Sequence, residues 1–134
     1  MRGGEIVIEG NAGNELGHGM RRGLIAVKGN VGDATGFKML AGSLMLFGSV
    51  GTQLGAGMNR GTIICFAPHK VERLLPTFLP ASSYQPLFVR FYLERLVELG
   101  WKIPPATFDL SFTRYCGDFV SLARGEILLA EGAT

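Results

Sequence analysis

Proline is missing from the first 67 residues of this 134-residue chain, and cysteine and histidine occur only twice each. Cys65 and Cys116 lie far apart and form no Cys-x-x-Cys unit, so the sequence offers neither a disulfide framework nor a zinc site, and a reduced compartment is expected. Charge is also scarce. Charged residues make up 18% and thirteen Lys and Arg are scattered among eleven Asp and Glu, which leaves no basic face for a phosphate backbone and argues against nucleic acid. No apolar run approaches the roughly eighteen residues of a membrane span, and the opening MRGGEIVIEGN lacks the apolar core of a signal peptide; the expectation is a cytoplasmic protein with no membrane partner. With 47% apolar residues the chain is globular rather than disordered, and its length suits one domain.

What the chain has in excess is glycine, twenty residues against an ordinary share of about 7%. The glycines are periodic. Arg2–Met20, Arg21–Met39 and Leu40–Met58 stack without a gap, and Asn59 begins a fourth copy. In that register Gly4, Gly23, Gly42 and Gly61 coincide, as do Gly10, Gly29 and Gly48, then Gly13, Gly32 and Gly51, then Gly17, Gly36 and Gly55. Short apolar runs fall between the first two columns, IVI, IAV, LML and IIC, and alternation puts Ile6 and Ile8 above Ile25 and Val27, Leu44 and Leu46, and Ile63 and Cys65 on one inward face. A nineteen-residue unit of strand and glycine corners has no room for a helix, so the chain coils as strands and turns, each copy forming one rung of a parallel β-helix. Glycine at the corners answers a need for positive φ or for close approach of successive backbones. A leucine-rich repeat fails because its required leucine is Arg22 or Ala41 here, and a hexapeptide helix fails because nineteen is not three sixes.

The pattern ends at Ala67 and six prolines follow. The chain therefore divides into repeats over 1–67 and a capping segment over 68–134 within the same domain. His69–Leu75 reads as one or two helical turns. Ser82 or Ser83 is placed to cap a main helix over about 84–99 that stops at Gly100, with an apolar stripe of Phe88, Val89, Tyr92, Leu93, Leu96 and Val97 and a wetted side of Arg90, Glu94 and Glu98. The stripe is expected to cover the flank or open end of the array. The segment RGEILLAEG at 124–132 echoes GGEIVIEG at 3–10, which predicts a strand returning to the stack.

The glycine offsets resemble the GXGXG β-helical domain found in the glutamate synthase large subunit and in the β-helical subunit of formylmethanofuran dehydrogenase. Arg114-Tyr-Cys-Gly-Asp118 with Gly125-Glu-Ile-Leu128 looks most like the formylmethanofuran dehydrogenase version, in particular its counterpart in the bacterial formyltransferase/hydrolase complex. The resemblance runs over essentially the whole chain. It implies a mainly β fold, a short right-handed parallel β-helix of nineteen-residue rungs with a helical C-terminal cap. It also implies a non-catalytic scaffold in one-carbon metabolism, bound to other subunits of a C1-transfer complex as a homo- or hetero-oligomer. Any cofactor, whether a molybdenum or tungsten pterin, zinc or a methanofuran-type carrier, then belongs to partner subunits and none to this chain. Members of that family usually carry more rungs ahead of the point where this sequence starts, so it reads as their C-terminal portion or a short form.

Residue by residue, catalytic chemistry finds little to work with. His18 occupies a corner where other copies have Phe37 and Ala56, and His69 follows Pro68 at the end of the array. Asn14, Asp33 and Thr52 form a polar column of stacked turn residues rather than an inward carboxylate cluster for a metal. GHGMRR, GAGMNR and GDATGFK miss the nucleotide-loop spacings. Met20, Met39 and Met58 read as core filling, and Arg114 and Asp118 as an ion pair ordering the loop around Cys116. Cys116 is the sharpest candidate for reactivity, though a lone cysteine without a histidine partner is more often buried and structural. The two competing readings are an enzyme of formyl or amide chemistry using Cys116 or His69, and a β-helical module that only self-associates. The candidate interface is the first layer of the core, Ile6, Ile8 and Leu16.

Overall fold

A computed structural model describes residues 2–52, 54–56, 60–67, 79–85, 87–116 and 126–130. Four strands stack in parallel: β1 (Arg2–Ile8), β2 (Arg22–Val27), β3 (Ser43–Leu46) and β4 (Thr62–Cys65). Ile25 pairs with Leu44 and Leu44 with Ile63, so successive rungs sit one repeat apart. The single irregularity lies between Arg2 and Glu5 of β1. The fold is the short parallel β-helix that the glycine columns predict.

Every residue from Leu24 to Val27, and every residue of β3, is buried. Both faces of these strands are therefore covered, which explains why they read as unbroken apolar runs rather than as strict alternation. The inner face fills the coil with Ile25, Val27, Leu44, Leu46, Ile63 and Cys65, sealed at the corners by Met20, Met39, Val31, Val50 and Leu54. The opposite face, Leu24, Ala26, Met45 and Ile64, packs against helix α1 (Leu87–Glu98) through Val89, Leu93 and Leu96. The helix thus covers the flank of the array. An aromatic group joins the layers: Phe47 and Phe66 stack at 4.4 Å, and Trp101 and Phe112 meet them edge-on at 5.4 and 5.6 Å respectively.

The open edge of β4 is closed by sheet rather than by helix. Strand β7 (Glu126–Ala130) pairs in parallel with β4, aligning Glu126 with Thr62 and Ile127 with Ile63, so the returning segment takes the position of a fifth rung. The Thr62 hydroxyl donates to Glu126 Oε1 at 2.8 Å across this junction. Strands β6 (Phe112–Cys116) and β5 (Leu79–Tyr84) then extend the sheet antiparallel, giving the order β1-β2-β3-β4-β7-β6-β5. A 3-10 turn, Pro105–Asp109, leads from the helix toward β6.

Two details of the C-terminal reading change. The backbones of Ser82 and Ser83 lie in β5, paired with Arg114 and Thr113, and the helix starts at Leu87, beyond the place where either would be its N-cap. Of the expected stripe, Val89, Leu93 and Leu96 are buried and Phe88 and Tyr92 pack against the same cluster, whereas Val97 is 46% exposed and lies off the contact. Gly100 does end the helix: its φ of +100° lets its own N–H reach Val97 O and the Trp101 N–H reach Leu96 O, both at 3.0 Å, closing the last turn in a Schellman arrangement. The turns expected at His69–Leu75 lie outside the described residues.

Candidate interface at the first rung

The glycine columns do three different jobs. Gly17, Gly36 and Gly55 have φ of +74°, +76° and +71°, so the corner they share is left-handed. Glu15, Ala34 and Lys38 are also left-handed, at φ of 57°, 56° and 52°, which shows how tightly the rung repeat dictates its corners even where the residue is not glycine. The column containing Gly23, Gly42 and Gly61 is left-handed as well and lies over buried methionine: a side chain at Gly42 would meet Met20 Cε, and one at Gly61 would meet Met39 Cε. Met20 and Met39 are fully buried core filling, while Met58 falls outside the described residues.

Gly29, Gly32, Gly48 and Gly51 do not have positive φ. They are glycine because the previous rung lies against them. A Cβ on Gly48 would stand 2.6 Å from the carbonyl carbon of Gly29, and one on Gly51 would stand 2.9 Å from that of Gly32. At Gly29 and Gly32 the obstruction includes the side-chain oxygens of Asn11 and Asn14.

Those oxygens form two ladders. Asn11 Oδ1 accepts the backbone N–H of Asn30 at 2.7 Å, and Asn30 Oδ1 accepts that of Ser49 at 2.9 Å. Asn14 Oδ1 accepts from Asp33 N–H, and Asp33 Oδ1 from Thr52 N–H, both at 2.8 Å. Each Asx side chain therefore satisfies a donor on the next rung that the strand ladder leaves unused. The Asn14, Asp33 and Thr52 column is a structural ladder. Its companion through Asn11, Asn30 and Ser49 escaped the sequence reading, although the recurrence of asparagine one repeat apart is visible in the sequence.

Strand β1 is the end strand of the sheet. Ile8 and Leu16 are half-buried against the inner core, while Ile6, at the same level as Ile25, is 43% exposed. The three residues thus form the uppermost layer of the core. On the other face of β1, Glu5 accepts paired hydrogen bonds from Arg95 of α1, Nε and Nη2 each 3.0 Å from Oε1, and Arg95 Nη1 also reaches Glu98 at 3.0 Å. The bonds from Arg95 hold the Glu5 carboxyl below its ordinary range, and Glu5 in turn raises Arg95. A carboxylate with a lowered pKa keeps this tie at neutral pH and loses it as pH falls through that lowered value; on an exposed surface its role is to locate the helix over β1 more than to stabilise the fold.

No catalytic grouping emerges among the described residues. His18 Nδ1 lies 3.3 Å from Glu15 Oε1 at an exposed corner and its ring meets Phe37 edge-on. His69 lies outside the described residues. The backbone of Cys116 lies in β6 opposite Glu126, and its side chain and the Arg114–Asp118 pair are likewise outside them. No set of three or more His, Cys, Asp or Glu residues among those described is placed to hold a metal, and no described helix is long and apolar enough to cross a membrane. Cys65 is fully buried and burial pushes its thiol up to about 12. The thiolate is the reactive form, so Cys65 should resist an aromatic disulfide reagent at pH 8 in the folded chain and react within minutes once denatured; rapid labelling of the native protein at this site would contradict the described core.

A parallel β-solenoid flanked by one helix is the class that these features define. Among solved structures, the chain is similar to one from the "X-ray crystal structure of the formyltransferase/hydrolase complex (FhcABCD) from Methylorubrum extorquens in complex with methylofuran". The TM-score is 0.62 and the identity 27%, over 96% of this chain and 56% of that one, so this chain spans little more than half the length of its structural neighbour. No protein-family model matches the sequence, and no curated protein matches it significantly.

Proposed function

We propose that this chain is a non-catalytic β-helical subunit of a formyltransferase/hydrolase-type complex in one-carbon metabolism, where it organises partner subunits that hold the metal and the carrier. The observation that carries this reading is the similarity at 27% identity along 96% of the chain to a component of such a complex. The interior supports the scaffold role: it is filled with Ile, Leu, Val and Met side chains, and the exposed polar corners are occupied in stacking the rungs. As the β-helical part of an assembly, the chain would act through its surfaces, with pterin-bound molybdenum or tungsten, zinc and a methanofuran-type carrier belonging to its partners.

The test is to purify the tagged chain from its source cells, identify what co-purifies in stoichiometric amount, and assay the assembly and the isolated chain for formyl transfer and hydrolysis. Formyltransferase- and amidohydrolase-type partners, an inactive isolated chain, and a Cys116→Ala assembly active within a few fold of wild type are the expected results. Turnover by the isolated chain, or a loss on the order of a thousandfold in a folded Cys116→Ala assembly, would establish an enzyme instead.

A further inference from the structure

We draw no further inference here: the strongest candidate, the exposed apolar side of α1 at Leu87 and Phe91, beside the cavity of about 120 Å³ that Leu87 lines with Val89, Phe108 and Phe112 between the helix and the 3-10 turn, carries nothing because nothing in the structure shows what covers it.

Discussion

Gly48→Val should destabilise the chain by about 2–3 kcal/mol or more, while Gly10→Val, at the head of the same glycine column, should change stability by less than about 0.5 kcal/mol. The valine Cβ at 48 would lie 2.6 Å from the carbonyl carbon of Gly29 and 2.7 Å from Asn30 Oδ1, atoms fixed by the preceding rung and by the Asx ladder, so neither can yield without opening the stack. At Gly10 the same atom meets nothing. Gly32→Val and Gly51→Val belong with Gly48, and the strain there arises from contact with the previous rung rather than from φ, which is not positive at either site. Urea unfolding followed by the fluorescence of Trp101, the sole tryptophan, separates the cases. Equal midpoints for Gly48→Val and Gly10→Val would mean that the rungs are not stacked as described.

Phe112→Ala should cost about 3–5 kcal/mol. Phe112 is 1% exposed in the layer between sheet and helix, where its ring meets Phe66 edge-on at 5.6 Å, and Phe66 in turn stacks on Phe47. Its removal leaves a void bounded by residues of the array, the helix and β7, none of which can collapse without disturbing another. The loss should appear as a lower urea midpoint with an earlier change in Trp101 emission, because Trp101 packs on Phe47 at the same junction. A midpoint within about 1 kcal/mol of wild type would show that helix and array are held together elsewhere.

The array was legible because its period is rigid. Once Gly29, Gly48 and the IAV and LML runs are aligned, the parallel register of Ile25 with Leu44 follows, and so does the echo that brings Glu126 beside Thr62. The tail was less legible because its signals were local while its structure is not. Ser82 and Ser83 look like helix caps in isolation, but β6 lies roughly thirty residues ahead in sequence and its backbone groups take up theirs. The outer layer was half-visible: Met45 and Ile64 alternate with inward residues yet are equally apolar, which requires a second covering element, and the column of Lys28, Phe47 and Phe66 marks where its aromatic seam runs. At the candidate interface the sequence supplied Ile6, Ile8 and Leu16, since a first layer is implied by any stack. That the side chains of Asn11 and Asn14 accept N–H groups of the next rung emerged only with backbone geometry, because a hydrogen bond's partner leaves no trace in a residue's identity.

The position of β7 bears on how the chain is made. Residues 126–130 occupy the rung after β4, yet the paired residues Thr62 and Glu126 stand 64 positions apart in the chain. During synthesis the parallel partner of β4 among the described residues therefore emerges only after the helix and β6, and until then β6 can meet the array through Phe112 against Phe66 but not through sheet pairing. An exposed parallel edge next to Ile63 and Cys65 is a site at which nascent chains adhere to one another. Slow completion of that edge, rather than weakness of the finished fold, should set how much protein is recovered on overexpression.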